Sequence, residues 1–327
     1  MFASFRKILF FLCFVFSFNS VFQLSAQVNS VAKNYKNFAA INSDSAAFQT
    51  THYKPTFIAN LPHKINETSA LLFLNGHLWT LNDSRNQPEI YCIDSTNGSV
   101  LRTVVISNAV NTDWESMAQD DSNVYIGDFG NNAGDRKDLQ ILKIKKNELL
   151  NPANDSVKAG YIYFSYPDQI NFARALNKNN FDCEAFFCHN DSLHLFSKNW
   201  SDLNSKHYVL PVDTGHYIAR LTERFNVDGL ITDASINAKG NIVLLGYKNS
   251  SGRRYTCFAW LLKSDERSEF FAGNKRKLKL GSALHLGQTE GIVLLDDNTG
   301  WLSSESILAG WLLRPAKLFR FNFRSYF

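Results

Sequence analysis

From residue 67 onward the chain alternates short apolar runs with tight polar turns, and the alternation itself recurs. Each unit opens on an acid, enters an apolar run, turns on Asn, Asp, Ser, Lys or Gly, and enters a second apolar run. Five copies stand in the sequence: ETSALLFLNGHLWTLNDS from Glu67, ESMAQDDSNVYIGDFGNN from Glu115, EAFFCHNDSLHLFSKNW from Glu184, DASINAKGNIVLLGYKN from Asp233 and EGIVLLDDNTGWLSSES from Glu290. The turns are Asn75-Gly76, Asp121-Ser122-Asn123, Asn190-Asp191, Lys239-Gly240 and Asp296-Asp297-Asn298. Where spacing leaves room, third and fourth strands follow, as in EIYCIDSTNG and SVLRTVVIS. Four-stranded units of this length, repeated around an axis, predict a β-propeller.

The copies are separated by 48, 69, 49 and 57 residues. The long interval contains only two further strong strands, LQILKIKK and GYIYFSYP, so it reads as one blade with insertions. The expected fold is therefore all-β, a single five-bladed propeller, with a six-bladed ring as the alternative. The last copy has three strands before the chain ends, and PTFIANLP (55–62) is placed to donate the fourth. Pairing the two termini would remove a free sheet edge. The predicted organisation is a signal segment over 1–26, a flexible leader over 27–52 and the propeller over 53–327.

In such a blade the innermost strand lines the central channel, so its first residue lies near one mouth. Glu115, Glu184, Asp233 and Glu290 are then expected in a ring. In the first copy the register admits Glu67, Thr68 or Ser69. Converging carboxylates repel one another unless some are protonated or a cation sits among them. Oxygen donors without His or Cys suit Ca²⁺, so Ca²⁺ is the expected cofactor. The same acids could instead bond backbone N–H groups of neighbouring blades and lock the ring. Loops after the second strands share this mouth and bring Asp83, Arg85, Asp128, Asn131, Arg136, Lys198 and Lys248. Their cations suggest an anionic ligand bridging metal and guanidinium.

The first residues combine a basic start (Arg6, Lys7), an apolar stretch from Ile8 to Phe18 and small polar residues around Ser25-Ala26-Gln27. This is a secretory signal pattern with cleavage near Ala26, which predicts an exported protein, periplasmic or secreted, with no membrane span afterwards. Formal net charge is +4, two units of it in the signal segment. That is too weak a balance to argue for polymeric nucleic acid or a membrane surface. Beyond Cys13, the cysteines are Cys92, Cys183, Cys188 and Cys257. Cys183 and Cys188, five apart, would face opposite sides of a strand, so buried free thiols are expected over a local bridge. His189 and His194 flank a turn and are expected to face solvent. No G-x-S-x-G elbow, H-E-x-x-H or phosphate-binding Gly-rich loop occurs.

The strings LWTLNDSRNQPEIYCID, NTDWESMA, VYIGDFGNN and DLQILKIKK resemble a set of exported bacterial propeller proteins of unassigned function. The likeness continues through YPDQ, NFDCEAFF, LITDASI and QTEGIVLL and spans most of residues 60–310. More distantly, Ser69 ahead of NGHLW and Glu290 in TEGI are similar to positions of the soluble calcium-activated nucleotidases (apyrases), five-bladed propellers with Ca²⁺ in the tunnel. That resemblance implies Ser69, Glu115, Glu184, Asp233 and Glu290 as the calcium-facing set. The family's aspartate-bearing segment ahead of the first blade has no counterpart in residues 27–60. Two functions follow as expectations: a calcium-bearing module that binds a small anionic ligand or protein partner, or a calcium-dependent phosphoester or nucleotide hydrolase.

Overall fold

The computed structural model describes residues 50–251, 254–264, 269–309 and 312–327; the signal segment and nearly all of the leader lie outside the described residues. Five sheets of four or five strands form the blades. Blade I comprises Leu72–Leu74, His77–Leu81, Glu89–Ile93 and Val100–Ile106; blade II, Trp114–Gln119, Asn123–Asp128, Gln140–Lys145 and Gly160–Ser165. Blade III comprises Asp182–His189, Ser192–Lys198, Ser205–Pro211 and Arg220–Phe225; blade IV, Leu230–Ile236, Asn241–Ser251, Arg254–Lys263 and Arg276–Ser282. Blade V takes Gln288–Leu294, Thr299–Glu305 and Lys317–Asn322 from the C-terminal end and Thr56–Asn60 as its outer strand. Phe57 pairs with Phe319 and Asn60 with Lys317, the terminal closure expected. The 69-residue interval holds one blade, and its surplus is the connection 166–181.

Each blade is buried on both faces, which is why its strands read as near-continuous apolar runs. Alternation then assigns each side chain to one neighbour. Ile90 and Cys92 pack toward blade II, whereas Tyr91 and Ile93 pack toward blade V. Ile242 and Leu244 face blade III while Val243 and Leu245 face blade V. The five apolar clusters lie one between each adjacent pair of blades. Each fully buried Ile, Leu or Phe in them contributes roughly 1.5–3 kcal/mol. Hairpin turns set the register. At Asn75-Gly76 both residues have positive φ (50° and 81°), the two-residue turn whose twist matches the strands.

The chain segment preceding each outermost strand reaches back to the previous blade. Ser156–Val157 adds to blade I, Gly215–Ile218 to blade II and Thr50–His52 to blade IV, each as a parallel fifth strand. On blade III the stitch is made by Phe270 and Phe271, whose N–H groups donate to Glu223 at 2.9 and 2.8 Å. On blade V, the Ser95 carbonyl accepts from Trp301 Nε1 at 3.2 Å. Thr50–His52, assigned from sequence to the leader, is thus part of the fold.

Two local expectations change. The inner strand of blade III carries a bulge between Cys183 and Ala185. The extra residue reverses parity, so Cys183 and Cys188 pack toward the same apolar cluster rather than on opposite faces. All four described cysteines are free thiols. His194, expected at the surface, is buried, with Nδ1 2.9 Å from His207 Nε2 and Nε2 3.2 Å from the His189 carbonyl. His207 in turn meets Glu223 at 2.9 Å, and burial pushes both rings down to about 3, so they are neutral. Among the described residues no helix is long and apolar enough to cross a membrane.

Candidate functional site at the acidic channel mouth

The inner strands of blades II to V each carry a bulge near their start, between Trp114 and Ser116, Cys183 and Ala185, Ile231 and Asp233, and Thr289 and Gly291. The residues in the bulges are Glu115, Glu184, Thr232 and Glu290. A bulge inserts a residue outside the regular pairing and re-aims its side chain. Three of the expected acids are aimed in this way, and all three line one cavity of about 350 Å³ together with Ser69, Asp83 and Asp113. Ser69 fills the blade I position: its Oγ donates to the Glu115 carbonyl at 3.1 Å and lies 3.5 Å from Glu115 Oε2. Glu67 stands on the rim, where its carboxylate accepts from Asn86.

Asp233 departs from the ring. In blade IV the bulged residue is Thr232, so Asp233 falls one step deeper in the channel. Its Oδ1 accepts from Ser116 Oγ at 2.6 Å and from the Ala234 N–H at 2.9 Å; Oδ2 accepts from the Ile292 N–H at 2.7 Å. Burial pushes its carboxyl well above the usual range against these three hydrogen bonds. Asp233 therefore ties blade IV to blades II and V across the axis.

The closest cluster includes a residue that sequence reasoning missed. Asp83, Asp113 and Glu115 each bring one carboxylate oxygen within 4.8 Å of the others. Asp113 lies just ahead of the inner strand, two residues before Glu115, and the same spacing recurs at Asp182 and Glu184; that recurrence was the available signal. Asn111 holds the two blades in register here, donating from Nδ2 to the carbonyls of Asn82 (3.0 Å) and Asp83 (2.8 Å) and accepting the Trp114 N–H at 3.1 Å. Gly130 leaves the room: a β-carbon there would sit 2.2 Å from Glu115 Oε1 and 2.4 Å from Asp113 Oδ2.

Across the cavity, Lys198 forms a buried ion pair with Glu184, both side chains about 95% buried or more. Its ammonium lies 4.9 Å from the Trp200 ring centroid and 5.3 Å from that of Tyr247. Trp200 is held by its Nε1 donating to Asp182 Oδ2 at 2.7 Å, while Asp182 Oδ1 accepts the Asn131 N–H at 2.6 Å. Gln288 donates to Glu290 Oε1 at 2.6 Å.

The electrostatics follow from this crowding. Burial, then the charges of Asp83, Glu184 and Asp113, pushes Glu115 well above the carboxylate range. Asp113 rises to about 7 through burial and the charges of Asp83 and Asp182. Glu290 and Glu305 each rise to about 8, burial leading in both. Burial also raises Glu184, opposed by Lys198. Burial works against the Lys198 ammonium, yet Glu184 and the surrounding acids hold it well above the ordinary lysine value.

The expected ring of basic groups is not assembled. Arg136 is spent on Asp128 Oδ1 (3.1 Å), Asp138 Oδ1 (3.1 Å) and the Gly130 carbonyl (2.9 Å). Asp128 also accepts the Asp113 N–H at 3.0 Å, so this pair positions the cluster from behind. Asn131 is occupied in backbone contacts with Phe181 and Arg136. Lys248 lies within the long strand Asn241–Ser251, pairs with Asp228 and lines a separate cavity with Lys277 and Lys279. Arg85 is exposed on the loop after blade I's second strand, at φ 63°. At the far ends of the inner strands, a second cavity of about 500 Å³ is lined by apolar groups such as Phe73, Met117 and Phe187 and by polar ones such as Gln119, Asn237 and Asp296.

No protein-family model matches the chain, and no curated protein matches it in sequence. Among solved structures, the tail fibre of Staphylococcus aureus phage P68 is 12% identical, with a TM-score of 0.42 over 91% of this chain; the chain spans 57% of the fibre's length. A β-1,3-galactosidase of glycoside hydrolase family 43, solved with galactodeoxynojirimycin, is 10% identical over 78% of this chain and 90% of its own, with a TM-score of 0.44. A family 117 glycoside hydrolase from the marine bacterium Zobellia galactanivorans is 9% identical over 83% and 90% respectively, with a TM-score of 0.43. At these identities the likeness concerns the fold alone.

Proposed function

We propose that the acidic mouth is a divalent-cation site, with Ca²⁺ as its ion, on an exported module that binds a ligand or partner at that face. The observation that carries this reading is the approach of Asp83, Asp113 and Glu115 to within 4.8 Å from two blades. Glu115 is 4% exposed, and its Oε1 accepts no hydrogen bond among the described residues. A buried carboxylate held by one long hydrogen bond from Ser69 is costly unless protonated or bound to a cation. The donor set fits: hard oxygens, the Ser69 hydroxyl at hand, and solvent access for water to complete a six-to-eight-oxygen shell. Asp83, Asp113 and Glu115 would hold the ion, while Ser69, Glu184 and Glu290 face the same cavity. The ion would neutralise the cluster and offer open positions to a ligand oxygen. Export follows from the N-terminal basic-apolar-small pattern.

A phosphoester or nucleotide hydrolase gains less support. Beyond the ion, such chemistry uses cationic side chains on the phosphoryl oxygens, and Lys198, which lines the cavity, is already paired with Glu184. The reading is tested by elemental analysis of the purified mature protein and by its thermal midpoint with Ca²⁺ and with EDTA. One bound Ca²⁺ per chain and a midpoint that rises with Ca²⁺ are expected, and Glu115→Gln should abolish the response. A wild-type midpoint indifferent to both additions would overturn it.

A further inference from the structure

The acidic cavity carries more than a cation cluster, and its remaining lining points to the chemistry of the ligand. Resting on the reading of this mouth as the binding face, we infer that the ligand is a neutral polyhydroxylated molecule, a sugar ring or similar polyol. At about 350 Å³ the cavity lies at the small end of the ~300–1,000 Å³ range of small-molecule pockets.

Three classes of ligand can be compared by charge and by hydrogen-bond capacity. A phosphate or carboxylate would find no basic side chain beyond the cation itself, since Lys198, the basic residue of the lining, is already paired with Glu184. An ammonium ligand would compete with the cation for the same oxygens and meet the Lys198 ammonium. A neutral polyol meets neither obstacle. Its hydroxyls can donate to the carboxylates and accept from amides, using both capacities of each O–H.

The loops beside the acids supply those amides. Asn132 and Asn177 line the cavity. Asn177 belongs to connection 166–181, the surplus of the long blade interval. That connection is fastened to the neighbouring loop by the Ala175 N–H to the Ala133 carbonyl and the Asn177 N–H to the Asn132 carbonyl, both 2.8 Å. The insertion that distorts the repeat thus builds a wall of the pocket. Tyr255 adds an aromatic surface. It lines the cavity, is 42% exposed, and stands edge-on to the buried Tyr247 with ring centroids 5.7 Å apart. An open ring beside acids and amides matches a ligand with one apolar C–H face and polar edges.

The test is calorimetric and tryptophan-fluorescence titration of the calcium-loaded protein. The probes are glucose, galactose, xylose and arabinose, compared with glucose 6-phosphate, glucuronate and glucosamine. At least one neutral sugar should bind, with the charged compounds at least tenfold weaker. Tyr255→Ala should weaken that sugar about three- to tenfold, and Asn177→Ala by a comparable factor. Both variants should keep the wild-type calcium shift in thermal midpoint, which separates loss of the pocket from loss of the fold. Absence of binding by every neutral sugar, preferential binding of a charged one, or unchanged affinity in Tyr255→Ala would each overturn the inference. A calcium shift without sugar binding refutes this inference alone, whereas sugar binding without a calcium shift refutes the cation site alone.

Discussion

The same five inner strands end in two unlike mouths. At their starts, bulges turn Glu115, Glu184 and Glu290 into a cavity with Asp83 and Asp113. At their ends, Phe73, Met117, Phe187 and Ile236 share a mixed cavity with Gln119, Asn237, Asp296 and Asp297, with no comparable crowding of buried acids among the described residues. Between them Asp233 is satisfied by three hydrogen bonds from blades II, IV and V. A propeller needs cross-axis contacts to hold its blades, and Asp233 supplies them without leaving spare valence. The start-side acids are compensated only in part: Lys198 pairs with Glu184 and Gln288 donates to Glu290, while Asp83, Asp113 and Glu115 crowd one another. On the proposed reading, that crowding distinguishes the binding mouth from the seam at Asp233.

Substitutions and changes of condition sharpen this contrast. Lys198→Ala should be the most damaging, about 3–5 kcal/mol, because it strands Glu184 beside Glu290 and Asp182. Urea unfolding measures it, and a loss under 1 kcal/mol would mean the pair is not buried as described. Asp233→Ala should cost about 3 kcal/mol by the same assay and leave calcium binding intact. Loss of calcium binding in a folded Asp233→Ala protein would return Asp233 to the metal site.

Calcium at a hundredfold excess over its Kd should add about 2.7 kcal/mol to the wild type. Without calcium, Glu115→Gln should match or exceed wild-type stability, since it removes a buried carboxylate crowded by Asp83, Glu184 and Asp113 and held by one long hydrogen bond from Ser69. The pH profile gives a smaller effect of defined sign. Glu290 and Glu305 titrate near 8 in the folded protein, above ordinary carboxylates. The folded state then binds more protons than the unfolded one between those values. Stability of the calcium-free protein should therefore be greatest below about pH 4 as regards these groups and fall as pH rises through about 8. Thermal midpoints across that range that rise with pH would contradict the assignment. At the second mouth, Ile236→Ser should leave the calcium response unchanged, and a changed response would dissolve the distinction between the mouths.

Much of this architecture was readable from residue order alone. Five acid-led copies and the unpaired PTFIANLP predicted five blades and terminal closure, and Thr56–Asn60 on Lys317–Asn322 is that closure. Glu115, Glu184 and Glu290 were legible because they repeat. What escaped depended on single-residue shifts. The blade IV bulge falls on Thr232, so Asp233 in the aligned pattern sits one position too deep. Such a slip changes a side chain's face, and no sequence interval reports it. Asp113 was missed because it lies ahead of the acid on which the copies align, although the blade III copy carries Asp182 at the same place before Glu184. Arg136 looked like a ligand-facing cation, but Asp128 eight residues earlier consumes it, a pairing that depends on how the loop folds back. Lys248 was read as a loop residue because the length of the blade IV hairpin, which carries it past the mouth, is not marked by a turn signal.

The central claim is that Asp113 and Glu115 are held close for a cation. Calorimetric titration of the chelator-treated protein with Ca²⁺ addresses it most directly, run alongside Asp113→Asn and Glu115→Gln. The account predicts one site per chain in the wild type, weakened at least tenfold in each variant while urea unfolding shows both still folded. Undetectable binding in the wild type, or equal binding in Glu115→Gln, would contradict it.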